Sequence, residues 1–520
     1  VANAEQENHI FMGNGYVLPY KWNGTDFTRH GVYPPTVTHS VATGAAGNLI
    51  GDYRWKVTFV NSASVESDVG PVNATFTATN VIGAITSIPV AAQSFGISSR
   101  RIYRTVTSGS TYKLVATLAD NTTTTYDDNI ADASLGATAP TDNGVPPLYN
   151  AIVYHQGRLF VNDLANPNYV WYSELNQPYT YASTNFIRIG DKSGELVRGL
   201  GVFDNSLAVF CDNSIWIVYM QDTTPGNWVI VIDKSSFGSK SPYALPPYNN
   251  KILFPAIQNT KFAGFADLSG DTVLPNKTTL DVLTAGSELS SDRIETDMFL
   301  VQEAYLSNIS SIVYKNKIYI TATYGTSATQ NNRIYVMDFS ISNLSKNQTV
   351  AWVPWTGLSA AQMAIYGGSL YYGSSTANGF AFKMESGSYV DNGSAINSYY
   401  WTKEFSGLPD EINFFKDFRY ANILVDLAGD YFMNVTHRTD SDSGDGDTNT
   451  IDLNPGGSLW GTMVWGVDTW GGGANQKEFR YYLGSSRGKR IQFKFSNQNT
   501  ANQRFKVHRL NFAYNLKGFR

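Results

Sequence analysis

Cysteine is almost missing. Cys211 is the single one in 520 residues, so no disulfide can form within the chain. It sits inside an apolar run and is expected in the core. Charge is sparse too: charged residues make up 16% of the chain, against about 25% in typical domains. A net charge of −5 does not announce a nucleic-acid binder. No run of 18 apolar residues occurs, which excludes a membrane-spanning helix by that criterion. Amphipathic helical patterns are scarce, and PDEINFFKDF (409–418) is the best short candidate. The chain opens VANAEQENHIF without an initiator methionine or a signal peptide, as though another segment preceded it.

Catalytic signatures are missing as well. The histidines, His9, His30, His39, His155, His437 and His508, form no HxH, HExxH or cysteine-paired cluster that could hold zinc. There is no GxSxG elbow and no GxxxxGK[ST] phosphate loop. Asp127 and Asp128 adjoin, but neighbours on a strand point to opposite faces and cannot flank one bond. A solvated turn is their expected role. A propeller glycosidase would draw its acids from different blades, which sequence does not reveal. The expectation is a protein that is no enzyme and carries no cofactor.

What the chain does have is aromatic residues, at 14%, arranged in short apolar runs. Residues 201–220 read GVFDNSLAVFCDNSIWIVYM, apolar runs split twice by Asp-Asn-Ser. Asn, Asp and Ser tolerate left-handed backbone and bond their own chain, so DNS between such runs is a turn. Val, Ile, Phe, Trp and Tyr in runs of four to six favour strands. The unit recurs. Turns stand at Gly13-Asn14-Gly15, His155-Gln156-Gly157, Asp204-Asn205-Ser206, Asn249-Asn250, Lys315-Asn316-Lys317 and Gly367-Gly368, and the last five are 49, 45, 66 and 52 residues apart. Hairpin plus following strand at that period is the pattern of a β-propeller blade. Six blades are expected.

Two Pro-Pro punctuations, in GVYPPT (31–36) and APTDNGVPPLYN (139–150), enclose about 110 residues rich in Thr, Ser, Ala and Val. DYRWKVTFV (52–60) alternates like a strand with one wet face. Further strands are expected near 74–79, 84–90, 100–106, 111–118 and 123–128, the layout of an immunoglobulin or fibronectin III sandwich. The chain therefore reads as all-β. Residues 1–35 are a first blade, 36–146 an inserted sandwich, 147–395 the remaining blades, and 396–520 a C-terminal β-sandwich-like region. That last region contains Trp460, Trp465 and Trp470 at five-residue spacing.

Several phrases, HIFMGNGYVLPYKWNGTDF, RRIYRTVTSGSTYKLVATLADNTTTTYDDNIADASLG, GRLFVNDLANPNYVWYSELNQP and WGTMVWGVDTWGG among them, resemble the tail nozzle and packaged-DNA stabilisation hub proteins of short-tailed bacteriophages. The resemblance covers most of the chain. It implies a virion tail protein forming a homo-hexameric ring through which DNA is retained and ejected. Its partners would be portal and head-to-tail adaptor proteins, tail fibre or needle proteins and, transiently and without sequence specificity, the DNA. The family's mid-propeller Gly-Cys-Val-Ser-Pro phrase appears here as FGSKSPYAL (237–245). A carbohydrate-binding propeller, as in an adhesin or receptor-binding protein, is the alternative.

Two polar features stand out. TDSDSGDGDTNTID (439–452) brings Asp440, Asp442, Asp445 and Asp447 together in a pattern resembling a calcium loop. However, Gly444 falls where a ligand is expected and no Glu closes the loop, so a solvated hairpin tip is favoured. Residues 477–520 hold eleven Lys or Arg against one acid, a balance of +10 that leaves −15 for the remainder. Arg487, Lys489, Arg490, Lys494, Arg504, Lys506 and Arg509 are expected on one strand face, serving assembly or facing DNA. Assembly is favoured, because tight phosphate contacts would hinder DNA passage.

Overall fold

A computed structural model describes residues 2–517 except 7–8, 191–193, 204, 234–235, 270–285, 290–293, 341–350, 377, 387–389, 392, 441, 443–445, 455–475, 485 and 499–502. Strand dominates it, and the one α-helix among the described residues is the four-residue Glu295–Met298. The chain separates into two compact units, residues 1–384 and 385–520.

The first unit contains six antiparallel meanders whose strands pair in chain order. The first meander is Ala2–Gln6, His9–Gly13, Tyr20–Trp22 and Phe27–Arg29. The second is Ile152–His155, Arg158–Asn162, Tyr169–Tyr172 and Phe186–Arg188. The third is Val197–Phe203, Ser206–Cys211, Ile215–Tyr219 and Val229–Ile232. The fourth is Pro247–Tyr248, Lys251–Gln258, Lys261–Ser269 and Gly286–Leu289. The fifth is Ser310–Tyr314, Lys317–Ala322, Arg333–Asp338 and Ala351–Thr356. The sixth has three strands, Ala360–Tyr366, Ser369–Ser374 and Ala381–Lys383.

Turn chemistry sets this geometry. His155 pairs with Arg158, Tyr248 with Lys251, Tyr314 with Lys317 and Tyr366 with Ser369, leaving two-residue loops. Those loops, Gln156-Gly157, Asn249-Asn250, Lys315-Asn316 and Gly367-Gly368, have positive φ at both residues. That is the type I′ hairpin, whose twist matches the strands it joins. Asn205 occupies the matching place in the third meander at φ 58. Equivalent turns adjoin in space: the Gln156 amide donates to Asn205 Oδ1 at 3.0 Å, and the Tyr314 hydroxyl to the Gly368 carbonyl at 2.9 Å.

The second strand of each of the second to fifth blades is buried on both faces, so alternate residues pack against different neighbours. In Ser206–Cys211, Leu207, Val209 and Cys211 join Phe160 and Val170 of the second blade, whereas Ala208 and Phe210 join Ile252 and Phe254 of the fourth. The same alternation links fourth to fifth through Phe265 and Tyr335, and fifth to sixth through Tyr319 and Tyr372. Phe11 links the first to Tyr149 and Leu159 of the second. Fully burying one such aromatic stabilises by about 1.5–3 kcal/mol. The first strands of the first four blades adjoin in succession, as do those of the fifth and sixth, as where blades converge on an axis. The arrangement is a β-propeller with an insert. Among the described residues no cluster joins the sixth blade back to the first. Tyr366 and Phe380 on the sixth, and Trp22 and Phe27 on the first, stand exposed.

The insert is a sandwich of two three-stranded sheets, Ser40–Tyr53, Phe76–Thr86 and Tyr126–Asp128 against Trp55–Asn61, Ile97–Thr105 and Tyr112–Leu118. Two expected strands, at 74–79 and 84–90, are one strand in fact. Asn80 takes left-handed backbone (φ 53) and shifts the register around Val81 without ending the ladder. The adjoining Asp127 and Asp128 also depart from expectation. They lie on a strand, with Asp127 exposed and Asp128 fully buried. Residues 36–146 alone are expected to melt cooperatively in a calorimeter, since the fully buried Trp55 and its cluster Leu49, Val57, Ile85 and Ile102 lie wholly within them. A disordered circular-dichroism spectrum for that fragment would refute this.

The second unit is a sandwich that begins at Glu385, eleven residues before the expected 396. Met384 still packs in the cluster shared by fifth and sixth blades, and only the residue after it leaves. One sheet orders Tyr399–Trp401, Ile491–Asn497, Phe432–Thr439 and Asp447–Asp452. In the other, Lys416–Asp426 is flanked by Gln476–Tyr482 and Arg487–Gly488 on one edge and Val507–Leu516 on the other. Phe418, Ile423, Val435 and Phe493 fill the space between. Trp460, Trp465 and Trp470 lie outside the described residues. The 409–418 segment holds a single 3₁₀ turn, Pro409–Glu411.

Candidate functional site

No helix among the described residues is long and apolar enough to cross a membrane. The first strands of the six blades are where a propeller enzyme would place facing carboxylates. Those strands read ANAEQ, IVYH, VRGLGVF, PY, SSIVY and AAQMAIY, and Glu5 is the only acid in them. Their one arginine, Arg198, forms a two-pronged pair with Asp212, at 2.7 and 3.1 Å. The histidines nearby serve the core. His30 is fully buried, its Nε2 2.8 Å from the Pro178 carbonyl and its Nδ1 2.9 Å from the Tyr149 hydroxyl. A carbonyl only accepts, so Nε2 carries the proton and Nδ1 accepts from Tyr149. Burial pushes its pKa down to about 3, and that of His39 to about 4. Cys211 is buried, and desolvation holds its thiol far above the usual range, so it is unreactive.

The acidic loop is occupied by its own backbone. Asp440 Oδ1 accepts the amides of Lys489 and Arg490 at 2.7 and 3.1 Å. Asp442 Oδ2 accepts the Thr439 amide at 2.5 Å. Asp447 sits on a strand opposite His437, and Asp445 lies outside the described residues. Among the described residues no three such ligands converge.

The basic residues do not share one face. Ile491–Asn497 and Val507–Leu516 belong to opposite sheets of the sandwich, so their outward side chains point away from each other. Several are already neutralised: Arg490 pairs with Glu404 at 3.1 Å, Lys506 with Asp426 at 3.9 Å, and Arg509 with Glu478 at 3.3 Å. Arg487 stands opposite Asp417. Lys489 lies over the Phe415 ring at 5.5 Å, and the Arg504 amide donates to the Tyr431 hydroxyl. Lys494 differs. It points outward from the four-stranded sheet and has no carboxylate partner among the described residues.

Around Lys494 the sheet builds an aromatic and cationic row that sequence reading missed. Tyr399 lies opposite Ser496 and Trp401 opposite Lys494, which puts both rings on the outer face. The Lys494 ammonium stands 5.1 Å from the Tyr399 ring centre and 5.4 Å from that of Trp401. Two strands on, the Arg438 guanidinium stacks over Trp401 at 4.5 Å. Gln492 Oε1 accepts from Arg438 Nε and an Nη at 3.0 and 2.8 Å, and its own amide donates to the Thr402 carbonyl at 2.7 Å. Arg438 too has no carboxylate partner among the described residues. Tyr399 is 59% exposed. The signal in the sequence was SYYWTKEF (398–405), three adjacent aromatics that the charge tally passed over. Behind this row Tyr400, Phe405, Phe495, Phe505, Val507 and Leu510 border an open cleft of about 530 Å³ between the sheets.

No family model matches the chain, and no curated relative does. Solved structures share its strand-rich build only loosely. An exo-β-1,3-galactanase from Phanerochaete chrysosporium is 11% identical with a TM-score of 0.26, covering 73% of this chain and 96% of its own. A putative exported protein from Bacteroides fragilis is 9% identical at 0.24, covering 66% and 87%. A Bombyx mori β-fructofuranosidase is 9% identical at 0.20, covering 92% of each. Likeness at this level carries no functional argument, and the fold rests on the strand order and packing above.

Proposed function

We propose that the chain is a structural, non-enzymatic subunit of a phage tail, six copies forming the ring that holds and then passes DNA. The observation that carries this reading is the pair of unlike apolar faces on the end blades. Trp22 and Phe27, cross-strand partners, are exposed on the first, and Tyr366 is exposed beside Tyr371 on the sixth. Contiguous exposed aromatics mark interaction surfaces. When one surface of a subunit meets a different one on the next, the assembly closes into a ring if the rotation allows. First strands with Glu5 as their sole acid also favour scaffold over catalyst, since glycoside hydrolysis takes two flanking carboxyls. The sequence resemblance supplies the remaining parts of the proposal: the portal and adaptor above, fibre or needle proteins, transient contact with DNA, and the virion as location.

Electron microscopy of the purified chain mixed with a portal–adaptor complex tests this. Six-fold rings are expected, and Trp22→Asp with Phe27→Asp should abolish them while leaving the melting temperature within about 2 °C, as for surface substitutions. Wild-type protein that stays monomeric with portal and adaptor present would refute the reading.

A further inference from the structure

We propose that the outer face of the C-terminal four-stranded sheet binds an acidic polysaccharide, a sugar polymer carrying about one carboxylate per repeat, through Tyr399, Lys494, Trp401 and Arg438. The inference stands apart from the ring assembly and does not depend on it.

Charge is the first argument. Arg490, Lys506 and Arg509 have carboxylate partners within 4 Å, whereas Lys494 and Arg438, on this one face, have none among the described residues. Both are held in place. Arg438 is gripped by Gln492, which is itself fixed to the Thr402 carbonyl, and stands over the Trp401 ring at 4.5 Å. Side chains already ordered cost less to immobilise on binding. A guanidinium presented this way still has donors free for a carboxylate.

The second argument is the surface between the charges. Rings alternate with cations along the row, and Tyr399 is more than half exposed. A planar ring accepts the apolar C–H face of a pyranose, while its neighbours take the hydroxyls. Those neighbours are amides and hydroxyls: Gln492, Ser496, Asn434, Thr448 and Thr450, on the outward side of the central and far strands.

Nucleic acid fits this face less well. A strand carries one phosphate per nucleotide, yet the face offers two unpaired cations and has Asp452 at its far edge, opposite Phe432.

Titration calorimetry on the full chain decides the matter, with polygalacturonate, neutral dextran, poly(dT) and polyglutamate as probes. Polygalacturonate should bind at least ten-fold more tightly than any of the other three. Lys494→Ala and Trp401→Ala should each weaken it about five-fold, the scale of one cation–ring contact. Melting curves accompany each variant. Should Trp401→Ala lower the melting temperature, Lys494→Ala decides, because that side chain lies on the surface. No binding by the wild type, equal binding of polyglutamate or dextran, tighter binding of poly(dT), or undiminished binding by Lys494→Ala would each overturn the proposal.

Discussion

Asp128→Ala is expected to cost the inserted sandwich about 3–5 kcal/mol, the range for removing one partner of a buried ion pair. Asp128 and Arg104 are both fully buried, 2.9 Å apart. The same carboxylate oxygen accepts the Trp55 indole N–H at 2.8 Å, and Asp128 Oδ1 accepts the Ile130 amide at 3.0 Å. Arg104 also donates to the Ile130 carbonyl and to Asp132, and lies over the Tyr53 ring at 4.8 Å. Taking away the carboxylate leaves one buried guanidinium N–H and the buried indole N–H without an acceptor, and Asp132 as the remaining carboxylate on Arg104. Asp127 is the built-in control, because it is exposed one position away and its alanine variant should fall within about 0.5 kcal/mol of wild type. Urea denaturation of residues 36–146 reads both. A loss below about 1 kcal/mol for Asp128→Ala would show that the network contributes packing and little more.

Acid should weaken the junction of first and second blades. Folded His30 resists protonation until about pH 3, whereas in the unfolded chain it titrates near its ordinary 6.5. Below 6.5 the unfolded state therefore binds a proton that the folded state refuses. Stability present above pH 6.5 is lost progressively as the pH falls toward 3. At pH 4.5 two of those units have been crossed, worth about 2.7 kcal/mol at 1.36 kcal/mol per unit. His39, depressed to about 4 by burial, acts in the same direction. Denaturation midpoints for wild type and His30→Gln between pH 7.5 and 4.5 provide the check. The variant should start lower and fall less steeply, and parallel curves would remove His30 from the explanation.

The blades were legible because local chemistry determines them. A Gln-Gly, Asn-Asn, Lys-Asn or Gly-Gly pair between β-branched and aromatic runs can do little except reverse the chain, and each was found at a hairpin with positive φ. Asn80 shows where such reading fails. The same left-handed preference sits inside a strand, and only the pairing of Ser40–Tyr53 with Phe76–Thr86 turns it into a bulge. Asp128 was misjudged for a related reason. Its burial depends on Arg104 and Trp55, 24 and 73 positions away, and a carboxylate shows no sign of a distant partner. The basic C-terminus illustrates a third limit. Counting eleven cations along the chain says nothing about which sheet each belongs to. Lys494 and Arg509 are fifteen residues apart and separated by the sandwich core. Arg438, the cation that completes the aromatic row, lies outside the basic stretch altogether.

The placing of the insert bears on how the molecule comes to be folded. His30 and Tyr149 meet across 119 positions of sequence. Bringing two points together through a flexible loop slows folding, since the entropy of closure is lost before the contact forms. The two ends of the insert meet in the native state, where a Cβ on Gly31 would stand 2.7 Å from Pro146. Once the sandwich has formed, the effective separation between the first and second blades shrinks from more than a hundred residues to a few. During synthesis the first blade must therefore wait, its Phe11 uncovered, until the insert has emerged and closed. The insert then acts as a timing device, and damage to it at Asp128 would be felt first as slow or failed maturation of the propeller.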